Sequence, residues 1–114
     1  MNQVCYGERE AVYRDAIKLY GQKAQEIVAV EEMSEVIKEI CKMQRGKGSV
    51  GHLAEEIADA TIMLEQLRLM YDINDEVCAF MDQKIVRLKS NVERLAAEND
   101  IWLCRGTKNA LETR

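Results

Sequence analysis

Not one proline interrupts the 114 residues of this chain. Average usage would supply about five or six. Proline breaks helices because it lacks the backbone N–H and clashes with the preceding turn, so its absence removes the commonest limit on helix length. The residues that fill the chain point the same way. Glu, Lys, Leu, Ala and Met lose little freedom in a helix, and aromatic residues make up only 5%. The composition excludes a β-sandwich or β-barrel. With 47% apolar and 32% charged residues the chain has a globular balance and is not generally disordered. Its length suits one domain, 1–114.

Four helical segments follow from periodicity and punctuation. The first runs from about Glu8 to Tyr20, before Gly21. The second spans about Gln22 to Gln44 and ends in Arg45-Gly46-Lys47-Gly48-Ser49-Val50-Gly51, a glycine-rich stop and loop. The third spans about His52 to Tyr71. Asp72-Ile73-Asn74 breaks it, with Asn74 as N-cap and Asp75 and Glu76 in the next first turn. The fourth spans about Asp75 to Glu98, where Val77, Met81, Ile85, Leu88, Val92 and Leu95 mark one helical face. The tail, 99–114, holds one apolar patch (Ile101, Trp102, Leu103) and is expected to be weakly structured. Short connections between long helices predict an antiparallel bundle of about four helices. The second and third helices are apolar nearly all round, which predicts self-association.

No apolar run approaches the roughly 18 residues of a membrane span, and the first ten residues do not read as a secretory signal. A cytoplasmic protein is the expectation, with no membrane partner. Sixteen basic against 20 acidic residues give a formal charge of -4 without a basic run, so no nucleic-acid binding is expected. Cys5, Cys41, Cys78 and Cys104 form no C-x-x-C pair, and His52 is the sole histidine. They read as reduced, partly buried thiols, and zinc is not expected.

The informative residues are carboxylates where the pattern says core. At about 100° per residue, Met63, Leu67, Ala60, Met70 and Leu53 all fall within about 60° of Glu56, which is thus centred on the apolar face of its helix. Asp59 lies at the edge of that face. Two buried carboxylates at i, i+3 repel each other and lose hydration. On the second helix Glu32 and Glu35 are also i, i+3 neighbours, with Gln25, Val28, Ala29 and Val36 within about 60° of Glu32. Folding the two helices antiparallel brings the pairs to similar heights. Four acids without His or Cys make a hard-cation site, suited to Mg2+ or Mn2+. On the fourth helix Lys84 lies within the apolar stripe, with Asn91 on the same side and Arg87 at its edge. A phosphate contact beside the acids, or snorkelling to the surface, accounts for that lysine.

Glu31-Glu32-Met33-Ser34-Glu35 followed by Glu55-Glu56-Ile57-Ala58-Asp59 resembles the E-x-x-E … E-x-x-D signature of the MazG-like nucleotide pyrophosphohydrolases, the all-α NTP pyrophosphatase superfamily. Twenty residues separate Glu35 from Glu56. Gln25 ahead of the double Glu, the apolar helix after Asp59 and the later Lys84-x-x-Arg87 pair extend the resemblance, which runs from about Tyr20 to Arg94.

The resemblance implies an all-α bundle assembled as a homodimer or homotetramer. It also implies Mg2+-dependent hydrolysis of a nucleoside triphosphate between the α and β phosphates, in the clearance of surplus or non-canonical nucleotides. It assigns Glu32, Glu35, Glu56 and Asp59 to the metal, and Lys84 and Arg87 to phosphates. A carboxylate not fully used as a ligand can take the proton of the attacking water, and Glu35, or Glu31 beside it, is the candidate base. The competing readings are a non-catalytic helical oligomeric scaffold, a related hydrolase of the dimeric dUTPase or phosphoribosyl-ATP pyrophosphatase type, and a di-iron carboxylate bundle. The last is disfavoured because Asp59 stands where the usual Glu-x-x-His pair has histidine.

Overall fold

The computed structural model describes residues 3–104, with side chains from Gly7 onward. Four helices, α1 (Gln3–Tyr20), α2 (Gln22–Gln44), α3 (Val50–Met70) and α4 (Asn74–Glu98), account for nearly all of them, and no strand occurs among the described residues. Cys5 as a side chain and the tail beyond Cys104 lie outside that description. The chain divides into two compact units. One holds α1 to α3 and ends at Asn74, and the other begins at Asp75 and holds most of α4. In the first unit α2 and α3 form the principal packed pair, with α1 against both.

Local chemistry sets the connections. Gly21 alone separates α1 from α2, at φ 95°, a conformation that favours glycine. The α2 end is closed by two reversed bonds: Gly46 N–H donates to the Met43 carbonyl (2.9 Å) and Lys47 N–H to the Lys42 carbonyl (2.9 Å). This pattern needs a left-handed residue, supplied by Gly46 at φ 77°. Ser49, in extended conformation, then caps α3, its Oγ accepting from His52 N–H at 2.9 Å. Helix α3 therefore starts at Val50, ahead of the His52 expected from periodicity. The α3 end repeats the reversed-bond closure with Asp72 at φ 52°. Asn74, Asp75 and Glu76 open α4 close to where the sequence places its start.

The first unit buries few apolar side chains: Tyr13, Ala29, Ala60 and Met63. It also buries three polar ones, Gln25, Glu39 and Gln66. Helix α1 is tied to α3 by Glu65, which accepts from Tyr13 OH and from Arg9 Nε and Nη2 (3.2 and 3.1 Å). The short bond to Glu65 and the burial of Tyr13 push its phenol up to about 12, burial being the larger cause. Cys41, Cys78 and Cys104 are free but exposed, not partly buried. On α2 the reason is geometric: Cys41 is nine residues after Glu32, about 180° round the helix from the side turned to α3. No described helix is long and apolar enough to cross a membrane.

Candidate metal centre

Helices α2 and α3 run antiparallel, and two hydrogen bonds fix their alignment. Near the start of α2, Gln25 Nε2 donates to Gln66 Oε1 at 2.8 Å. Beyond the other end of the interface, the Ser49 N–H donates to Glu39 Oε2 at 2.8 Å. Between these ties stands the acidic cluster. Glu32 is seven residues from both Gln25 and Glu39, Glu56 seven from Ser49, and Asp59 seven from Gln66. Seven residues are nearly two full turns, so one stripe of α2 (Gln25, Glu32, Glu39) meets one side of α3.

Carboxylate oxygens of Glu32, Glu56 and Asp59 lie within 4.8 Å of one another. Glu32 and Glu56 are half-buried and Asp59 is exposed. The expectation of two buried acids on α3 is thus corrected. The strip that α3 buries runs through Ala60, Met63 and Gln66; Asp59, about 60° round from Glu56 and two turns before Gln66, shares that side of the helix yet is exposed. Among the described residues no Lys or Arg pairs with the three acids. Like charge is therefore left standing. The Glu32 carboxyl is held above its ordinary range, first by desolvation and then by Asp59, Glu56, Glu35 and Glu31.

The other sequence candidates stand as follows. Glu35 is outside the triad and faces Lys38 Nζ at 3.5 Å, while still adding to the field on Glu32. Glu31 is exposed. Gln25 is buried and spent on Gln66. Lys84, Arg87 and Asn91 are exposed on α4, in the second unit. The α4 stripe containing Lys84 is itself exposed, at Met81, Ile85 and Leu88, so Lys84 is not a core lysine within its helix. Sequence reasoning missed Glu39 and Gln66. Their available signal was the seven-residue spacing from Glu32 and Asp59.

The donor set is all carboxylate, with no soft ligand. It fits a hard divalent cation such as Mg2+ or Mn2+, which takes one or two carboxylates or more and completes its shell with water or phosphate oxygens. A divalent charge would relieve the repulsion that raises Glu32. Compared with known proteins, the chain matches no family model, no curated protein and no solved structure.

Proposed function

We propose that this chain is a divalent-metal-dependent pyrophosphohydrolase. It cleaves a nucleoside triphosphate between the α and β phosphates, giving the monophosphate and pyrophosphate, in the clearance of nucleotides. The observation that carries this reading is the triad: three carboxylates from two helices, converged within 4.8 Å with no basic partner among the described residues. The E-x-x-E … E-x-x-D resemblance supplies the substrate class.

In this reading Glu32, Glu56 and Asp59 hold Mg2+, with Mn2+ as substitute. When bound there, such an ion would neutralise charge on the triphosphate and lower the pKa of a water. Glu35, or Glu31 beside it, accepts the water's proton; Glu35 is near enough to perturb Glu32 yet is not one of the three converging acids. The resemblance assigns phosphate contacts to Lys84 and Arg87 and implies that the protein works as a homodimer or homotetramer.

The test is a pyrophosphate-release screen over the common NTPs and dNTPs, dUTP and phosphoribosyl-ATP, with and without Mg2+, and with the products separated by chromatography. Pyrophosphate plus a monophosphate is expected, with a loss of roughly a hundredfold or more in Glu56→Gln, as for damage to a preorganised electrostatic site. Orthophosphate plus a diphosphate, or equal activity in Glu56→Gln, overturns the reading.

A further inference from the structure

Glu39 is a carboxylate that the proposed reaction does not use, and it is 5% exposed. A buried Glu is rare without a partner. Its partner here is backbone: Oε2 accepts from the Ser49 N–H at 2.8 Å, while Lys42 on the same helix comes no closer than 4.0 Å. Ser49 is the residue whose own Oγ caps α3 through His52 N–H. One carboxylate on α2 thus holds the residue from which α3 starts.

The loop is shaped to that contact. A Cβ added at Gly48 would stand 2.7 Å from Glu39 Oε2 and 2.5 Å from Met43 Cγ. Only a residue without a side chain lets the loop come down onto Glu39. By contrast, a Cβ at Gly46 meets nothing within 4 Å. Glycine at 48 is required by close approach, and glycine at 46 by its backbone angle.

The alignment gives the contact its consequence. From Glu39 to Glu32 is seven residues along α2, and from Ser49 to Glu56 is seven along α3. Both are about 10 Å, at ~1.5 Å per residue. Any slide or rotation of α3 at Ser49 is carried along a rigid helix to Glu56 and Asp59, while Glu32 stays with α2. The far tie, Gln25 to Gln66, leaves the loop end free to shift if Glu39 lets go.

We propose that Glu39 is a positioning residue for the carboxylate triad. By gripping the Ser49 N–H it sets the register of α3 against α2, and so the convergence of Glu32, Glu56 and Asp59 on one cation. The proposal rests on the metal-centre reading above, and the experiment separates the two.

Mn2+ alone is titrated into the metal-free full chain, with free Mn2+ read by electron paramagnetic resonance, well below each variant's melting temperature. Glu39→Gln keeps the reach and an acceptor oxygen but not the charge. Glu39→Asp keeps the charge but not the reach. Gly48→Ala disturbs the contact from the loop side without touching an acid. Tyr13→Phe, which removes a bond between α1 and α3, is the stability control. Glu39→Asp and Gly48→Ala are expected to weaken Mn2+ binding roughly 10- to 100-fold, as loss of residues that orient metal ligands does. Glu39→Gln should remain close to wild type, and Tyr13→Phe should lower the melting temperature alone. Glu39→Asp and Gly48→Ala binding Mn2+ like wild type makes Glu39 merely structural and overturns the proposal. So does the reverse order, Gln weak and Asp intact, which means that charge at a distance matters and position does not. A wild type that takes up no Mn2+ overturns the metal centre itself, and the positioning role falls with it.

Discussion

Glu32 stands in a crowded field of like charge. It is half-buried, it has four acids in its field, and among the described residues only Glu35 of those four has an ion pair, with Lys38. Its pKa is therefore raised, and the sign of the pH effect follows. The folded state holds the proton more tightly than the unfolded chain, whose value is the ordinary 4.5. The contribution to stability is present below that value and is lost as pH rises through the raised one. Glu32→Gln removes this loss and also relieves Glu56 and Asp59. Without metal, the melting temperature of Glu32→Gln relative to wild type should climb as pH rises above the ordinary 4.5 and level off once the pH has passed the raised value. With Mg2+ the order should invert, because only wild type offers the full ligand set and a ligand of the folded state stabilises by mass action. A difference that stays constant across that range, and does not respond to Mg2+, refutes the crowding.

At the scale of elements, α2 was legible to its ends because its stop signal is chemical: basic residues, then glycine. Helix α3 begins earlier than its periodicity suggests because Ser49, not a residue nearer His52, has the extended backbone and hydroxyl that make a cap. The triad was legible because Glu56 interrupts an apolar stripe. Glu39 was not, although it shares the stripe of Glu32, because its partner is a backbone N–H in a loop and leaves no mark in the sequence. Gln66 was hidden for a related reason, and with it the partner of Gln25: an exposed Gln and a buried, bonded one look the same until the register is known. The two glycines of the loop make a separate test of element closure. Gly46→Ala has open space around it and pays only for its left-handed backbone, so it should cost about 1 kcal/mol in urea unfolding. It should leave Mn2+ affinity unchanged, unlike Gly48→Ala. A neutral Gly46→Ala argues that α2 does not close through a left-handed residue.

At the scale of the whole molecule, α2 is inverted relative to an ordinary amphipathic helix. Its stripe toward α3 is polar, at Gln25, Glu32 and Glu39, with Ala29 between. Its opposite side carries Ile27, Val30 and Ile37, exposed by 55, 64 and 61%. These residues fall about 140 to 220° round from Glu32, so they form one strip. Fully burying such a side chain is worth about 1.5–3 kcal/mol, and the first unit has only a handful of buried apolar residues to set against that exposure. The arrangement is economical if a second copy covers the strip: the polar seam stays within the chain, at the acidic triad, and the hydrophobic energy comes from association. The full chain should then give a light-scattering mass of at least twice 13.1 kDa at micromolar concentration. Ile37→Glu places a charge in the middle of the strip and should shift the mass toward the monomer, with the helical circular-dichroism signal retained. A wild-type mass near 13.1 kDa in folded protein refutes self-association outright. An unchanged oligomer in Ile37→Glu moves the interface off the outer face of α2 and leaves the exposed apolar residues of α3 and α4, such as Ile57 and Ile85, to carry it.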